Sequence, residues 1–363
     1  MRRVNHTEIA IVGGGIIGLS LALELATNGR QVTILERESA ASEASWAAAG
    51  MLADSDPENP AALQPLSRLS RSLWTSFRQQ VEQLSGHAVP VRTRRTLQIA
   101  HHLPEGFTEA SREEIDAVAP GLTAPCKSIF FLNEESINPR DLVAALPVAV
   151  RAAGVTLLEQ TPVQSVRNHT EGVEIVTPDG NWLAGRIVYA TGAWAGNLPG
   201  LPATPRKGQM IQAALDAPLD CVLRTPDIYI VPRGHGRFVI GATVEDAGFD
   251  KQVHENDIQA LLRRAAALWP PVGNAAVVET WAGLRPGSPD LLPMLGPLEE
   301  ERGEQRAWAA VGHYRNGILL APGTARLLCE MLENRRPSID PAPFRCDRFA
   351  LSSVQSQCVP VQV

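Results

Sequence analysis

The chain has 363 residues, 44% hydrophobic and 20% charged, a composition that excludes a disordered chain. Its 33 basic and 39 acidic side chains give a formal net charge of −6, which argues against a nucleic-acid partner. At roughly 100–200 residues per domain, the length predicts about two domains.

Arg2 and Arg3 precede an apolar run over 9–26, superficially like a leader or membrane span. Glu24 interrupts that run and Gly13-Gly14-Gly15 sits inside it. A strand, turn and helix read better, so a cytoplasmic protein without a membrane partner is expected. Residues 8–12 are predicted as a strand and 13–18 as a turn. Ile17, Leu21 and Leu25 then recur at helical spacing up to Gly29. A second strand over 32–35 ends at Glu36. This β-α-β succession is the dinucleotide-binding unit.

Residues 39–52 are rich in Ala and Ser, and 57–65 read as a loop. Leu66, Leu69, Leu73, Phe77, Val81 and Leu84 step by three or four, which predicts a long amphipathic helix. Residues 88–135 read as short strands with a small helix, 140–154 as a helix kinked at Pro147, and 155–158 as a strand. Residues 173–177 and 182–189 read as an antiparallel hairpin that ends at Thr191-Gly192. Strands follow over 209–214, 228–232 and 237–243, then a helix over 255–269 and a strand over 276–281. A Gly- and Pro-rich stretch covers 283–293. Residues 309–311 lead through 312–317 into a helix that runs to about 334, and 346–363 read as a loose tail.

The chemistry of the turn is explicit. Gly13 permits the tight bend, Gly15 lets a pyrophosphate approach the backbone, and Gly18 lets the helix pack on the strand. Glu36 stands where a carboxylate accepts bonds from ribose hydroxyls. A second glycine fingerprint, expected if NAD(P)H were the electron donor, is missing. The strand end Ala190-Thr191-Gly192 and the late helix opened by 312–317 favour FAD, the latter by offering a helix start to a reduced flavin. The organic substrate is then the reductant. Five scattered cysteines, odd in number and without a C-x-x-C pair, give neither a disulfide framework nor a zinc site. The eight histidines lack metal-ligand spacing, so no metal is expected.

The ordered blocks Gly13–Gly18, Glu36, Ser45–Leu52, Tyr229–Arg233, Trp281–Gly287 and Gly312–Ile318 resemble the D-amino-acid oxidase superfamily. Within it, the glycine oxidase branch that serves thiamine biosynthesis is the nearest likeness. The resemblance spans about residues 8–348. It implies an α/β protein with a discontinuous Rossmann-like FAD-binding domain and an α+β substrate domain on a mixed or antiparallel sheet. The expected bounds are 1–87, 137–205 and 291–345 for the FAD domain, 88–136 and 206–290 for the substrate domain, and 346–363 for the tail.

The same resemblance implies site residues. Gly13, Gly15, Ile16, Ile17, Gly18, Glu36 and Arg37 would meet the nucleotide, and Val166 the adenine end. Ser45, Ala48, Ala49 and Gly50 would pass the pyrophosphate and flavin, with Met51 beside the substrate. Thr191, Gly192, Trp194, Gly312, His313, Asn316, Gly317 and Ile318 complete the cofactor set. Arg285 would anchor a carboxylate through its planar fork, Tyr229 would share it, and Arg315 would lie on the amine side. No catalytic role is expected for Lys207. Val244 and Asp227 depart from the family pattern and bear on pocket size and charge. No cysteine lies between Trp281 and Ala321, so FAD is expected to be non-covalent.

The implied reaction is oxidative deamination of glycine or a similar small amino acid to an α-keto acid, ammonia and hydrogen peroxide. Oxygen is the expected acceptor. A D-amino-acid or secondary-amine dehydrogenase with another acceptor, and a flavin-binding subunit without turnover, stay open as alternatives, as does a homo-oligomer.

Overall fold

The computed structural model describes residues 4–124, 127–198, 200–298 and 305–352. The strand Val4–Val12 pairs in parallel with Val32–Leu35 on one side and Gly180–Tyr189 on the other. Thr156–Leu158 and Ala307–Val311 extend the parallel pairing outward at the two sides. Parallel strands are covered on both faces and need continuous apolar runs. Val32–Leu35 is accordingly buried at every residue. The expected hairpin is present, between Gly172–Thr177 and Gly180–Tyr189. Its second strand is thus shared by a parallel sheet and an antiparallel meander.

Helices Ile16–Thr27, Gln64–Ser85, Pro139–Ala152 and Gly317–Leu332 pack together on one face of this sheet. Pro322 stands inside the last of them, where its ring breaks the helical ladder. The Gly323 N–H donates instead to Ser70 Oγ at 2.8 Å, and the Leu319 carbonyl accepts the Trp74 indole N–H, also at 2.8 Å. Both backbone groups near the break are therefore satisfied by one neighbouring helix.

A seven-stranded sheet forms the second layer system. Its order is Ala276–Gly287, Thr204–Ala214, Arg237–Gly241, Tyr229–Gly234, Val222–Arg224, Thr96–Ala100 and Ser128–Leu132. One face carries the helix Glu255–Leu268 and a core that includes Trp269 and Phe238. The other face presents Met210, Val231, Val239 and Trp281 to Ala47 and Ala49 of the Ala-rich segment. The Trp281 indole N–H donates to the Ala47 carbonyl at 3.0 Å. The α/β class with mixed sheets is as the sequence implied.

Two expectations need correction. The strand expected over 276–281 does not end there: it runs from Ala276 to Gly287. It lies at the edge of its sheet, opposite Pro205 at Pro286, and an edge tolerates a residue without an N–H. The tail is not loose at its start. Cys346 is buried, and Arg348 pairs with Asp290 at 2.8 Å. Residues 353–363 lie outside the described residues.

Candidate active site

The turn that opens the first helix is built for a close crossing. Gly13 has φ +107°, and a Cβ there would lie 2.5 Å from the Ala190 carbonyl oxygen. A Cβ on Gly18 would run into the Gly13 carbonyl. Gly15 differs, because a Cβ there meets only Ser45 Oγ at 3.6 Å, and one on Gly192 meets nothing within 4 Å. So Gly13 and Gly18 serve packing, while Gly15 and Gly192 leave backbone open. Ser45 Oγ accepts the Ile16 N–H at 2.9 Å, and its own O–H remains to donate. Glu36 accepts the Gly14 N–H at 2.6 Å and the Glu38 N–H at 2.9 Å. A carboxylate has about four acceptor positions, so Glu36 keeps capacity for hydroxyls.

A single cleft runs from this turn to the seven-stranded sheet. Gly15, Ile16, Ile17, Ser45, Ala48, Ala49, Gly50 and Met51 line it from one side, with Gly192, His313, Asn316, Gly317 and Ile318. Tyr229, Arg285 and Arg315 line it as well. The space between its walls, counted out through the open mouth into solvent, is about 1560 Å³. Gly13, Gly18, Glu36, Thr191 and Gly312 are not on its wall, and nor is Val166, which pairs with Ile175 in the meander. Arg37 and Trp194 are brought together off the wall, the guanidinium 3.7 Å from the ring centroid.

At the sheet end, two glycines make the floor. The Arg285 guanidinium lies over Gly208, where a Cβ would sit 2.5 Å from its Cζ. The Tyr229 ring lies over Gly241, its ladder partner, where a Cβ would sit 2.6 Å from the hydroxyl oxygen. Burial pushes the Tyr229 hydroxyl's pKa up, and Arg285 opposes this through its charge and a hydrogen bond. Arg285 Nη1 donates to the carbonyls of Lys207 and Thr243, at 3.3 and 3.2 Å. Its remaining donors can serve a planar anion. Behind Tyr229, Arg233 donates to the carbonyls of Ile137 and Ala48, at 2.6 and 3.2 Å. Burial pushes its pKa down to about 9.

A third region surrounds Arg315, named from sequence, with Asp56, Glu58, Gln98, Arg224 and Glu134, which the sequence did not single out. Arg315 pairs with Glu58 at 2.8 Å and faces Asp56 at 3.9 Å. Arg224, almost fully buried, pairs with Glu134 at 2.9 Å and donates to Gln98 at 2.6 Å. Asp56, Glu58, Gln98 and Arg224 all line the cleft. Burial pushes the Glu134 pKa up, and Arg224 opposes it. Asp227 is exposed at the same cleft, and Val244 is 63% exposed there. His313 is buried, is hydrogen-bonded through Nε2 to Thr324 Oγ1 at 3.1 Å, and has its pKa pushed down to about 3 by burial. Its imidazole is neutral.

A long cleft with a phosphate-type turn at one end and a guanidinium with a phenol at the other defines a dinucleotide-dependent enzyme of small anionic substrates. Residues 8–331 match the family described as DAO, FAD dependent oxidoreductase, and the chain belongs to that family. It is 33% identical to the glycine oxidase of Geobacillus kaustophilus over 94% of this chain and 97% of that protein. It is 35% identical to the bifunctional protein ThiO/ThiG of a Synechocystis strain over 94% of this chain and 54% of that protein. The crystal structure of the Geobacillus kaustophilus glycine oxidase superposes with a TM-score of 0.88 at 32% identity, covering 95% of this chain and 99% of that one.

FAD, the family's cofactor, fits the residues present. The open backbone at Gly15 and Gly192 leaves room for a flat or extended group. Thr191 Oγ1 is buried beside it with no hydrogen-bond partner among the described residues, the mark of a polar atom built for something else. Among the described residues, no cluster could hold a metal ion, and no helix is long and apolar enough to cross a membrane.

Proposed function

We propose that the chain is a glycine oxidase: it oxidises the C–N bond of glycine or a similarly small amino acid, giving an α-keto acid and ammonia, and supplies thiamine biosynthesis. The convergence of Arg285 and Tyr229 over two glycines carries this reading. The guanidinium and the hydroxyl bind the carboxylate, which fixes the α-carbon along the cleft. Fixed geometry then replaces a bimolecular encounter. Bound FAD supplies a two-electron acceptor, which oxygen regenerates with release of hydrogen peroxide. Water hydrolyses the product imine.

Gly15, Ile16, Ile17, Ser45, Thr191 and Gly192 would hold the cofactor's phosphates, with Glu36 on the ribose. Ala48 to Met51 and His313 to Ile318 would frame the ring. Gly13, Gly18, Arg37, Val166, Trp194 and Gly312 support these segments. Cofactor binding is non-covalent, so acid precipitation is expected to leave the yellow colour in the supernatant. His313 is too weak a base at neutral pH to take a proton. Asp56 and Glu58 face Arg315. The substrate amine would enter in its neutral form, with Arg315 and its carboxylates on the amine side.

The FAD-binding part comprises 1–87, 137–205 and 291–345, and the substrate part 88–136 and 206–290. What supports this division is the pairing of distant strands in one parallel sheet. The protein works in the cytoplasm on free amino acids, and a homo-oligomer is compatible with this reading.

Anaerobic mixing with glycine, sarcosine and D-amino acids, followed by peroxide assay in air, tests the proposal. Bleaching of the flavin by glycine and stoichiometric peroxide are expected. Bleaching with dye reduction but little peroxide would make it a dehydrogenase. No bleaching by any amino acid would sink the enzymatic reading.

A further inference from the structure

The two carbonyls that hold Arg285 belong to residues clamped by an ionic network around one buried lysine. Lys207 and Glu245 exchange both main-chain hydrogen bonds at 3.0 Å, which straps residues 243–245 to the strand Thr204–Ala214. The Lys207 side chain is fully buried, its Nζ 3.2 Å from Asp250 and 3.5 Å from Glu245. Gln209 donates to Glu245 at 2.9 Å and to Asp257 at 2.7 Å, and accepts the His254 N–H at 2.7 Å. The Thr243 hydroxyl donates to Glu245 and accepts the Gln209 N–H. Side chains alternate along a strand, so Lys207 and Gln209 project from the face opposite Gly208, on which Arg285 lies. A buried ammonium is costly unless paired. This one stands between two carboxylates, is not on the cleft wall, and has no part in the proposed chemistry.

We propose that Lys207 is a positioning residue for substrate binding. Its ion pairs with Glu245 and Asp250 hold the Lys207 and Thr243 carbonyls in place, and those carbonyls set the Arg285 guanidinium flat on Gly208. Lys207 thereby governs affinity for the carboxylate without touching substrate. The proposal rests on the reading that Arg285 receives that carboxylate.

The test uses FAD-loaded protein and acetate, a carboxylate without an amine, whose binding is read as a perturbation of flavin absorbance. Lys207→Met is expected to weaken acetate binding and raise the KM for glycine by one common factor, about tenfold, with kcat held. Lys207→Arg restores most of both. Asp250→Asn, at a half-exposed carboxylate, moves both in the same direction by less. It carries the test if Lys207→Met does not fold. Arg285→Met is the reference. If Arg285→Met binds acetate normally, the carboxylate reading fails and the proposal with it. If Arg285→Met loses acetate while Lys207→Met and Asp250→Asn bind it normally, only the positioning role fails. A fall in kcat or FAD content at unchanged acetate affinity also overturns it, because a merely structural lysine does that.

Discussion

Arg285 and Tyr229 reach toward each other from strands that are not neighbours, across two intervening strands that present Gly208 and Gly241 beneath them. Neither side chain would fit over a residue with a Cβ. The proposed carboxylate site is therefore specified by four positions, and two of them have no functional group.

Gly208→Ala tests that relationship. The added methyl meets the end of a flexible side chain rather than backbone, so the strand survives and the guanidinium moves. The KM for glycine is expected to rise about tenfold or more, with the thermal midpoint little changed. Steady-state kinetics beside a melting curve check it. A normal KM would show that Arg285 is not held where the substrate binds.

Gly15 and Gly18 separate cofactor binding from folding. A Cβ on Gly18 strikes the Gly13 carbonyl, whereas one on Gly15 has only Ser45 Oγ near it, at 3.6 Å. Gly15→Ala is expected to give folded protein with weakened FAD binding. Gly18→Ala is expected to lower the stability of the apoprotein itself. Flavin content and apoprotein melting, measured side by side, distinguish the two, and equal apoprotein melting would contradict the assignment.

Arg224 and Glu134 form a buried pair, with 5% and 0% of their side chains exposed. Removing one partner strands the other, at a cost of about 3–5 kcal/mol. Arg224→Met is expected to lose that much in urea unfolding at pH 8, and the double variant with Glu134→Gln to recover most of it. The Glu134 pKa already lies above its ordinary value through burial. A carboxyl with a raised folded-state pKa stabilises below its unfolded pKa and loses that contribution as pH rises through the folded one. The deficit of Arg224→Met therefore shrinks on acidification, and a deficit independent of pH would contradict this.

His313 gives the opposite slope. Its folded-state pKa is depressed from 6.5 to about 3 by burial. The folded chain thus resists protonation that the unfolded chain accepts. Its contribution is present above pH 6.5 and is lost as pH falls toward 3, by at most about 1.4 kcal/mol per pH unit. Urea midpoints at pH 7.5 and 5.5 are expected to separate more for the parent than for His313→Gln. Equal separations would mean that the imidazole is reached by water.

The parts legible in sequence were those written locally. The turn around Gly13 to Gly18 declares itself because each glycine answers a nearby steric demand. Arg285 and Tyr229 sit in blocks that carry the family likeness. Arg224 gives no such signal: it ends an apolar strand, and its partners Gln98, Glu134 and Asp56 come from distant segments that only the fold assembles. Gly208 and Gly241 were unreadable for a related reason. What makes them necessary is the side chain of a residue on another strand. The strand's end was set too early, at residue 281, because the Gly and Pro that follow are also tolerated on an edge strand.

The parallel sheet has a consequence for how the molecule is made. The strand Val4–Val12 has one neighbour in Val32–Leu35 and the other in Gly180–Tyr189, which in turn waits for Ala307–Val311. At about 5–20 residues per second of synthesis, the first strand spends roughly ten seconds or more with one edge unpaired. The nucleotide turn cannot close earlier, since Gly13 packs on Ala190. A nascent chain stalled before that strand would present an apolar parallel edge and no cofactor site. Free FAD in the cell can thus stabilise only chains whose synthesis has passed Ala190.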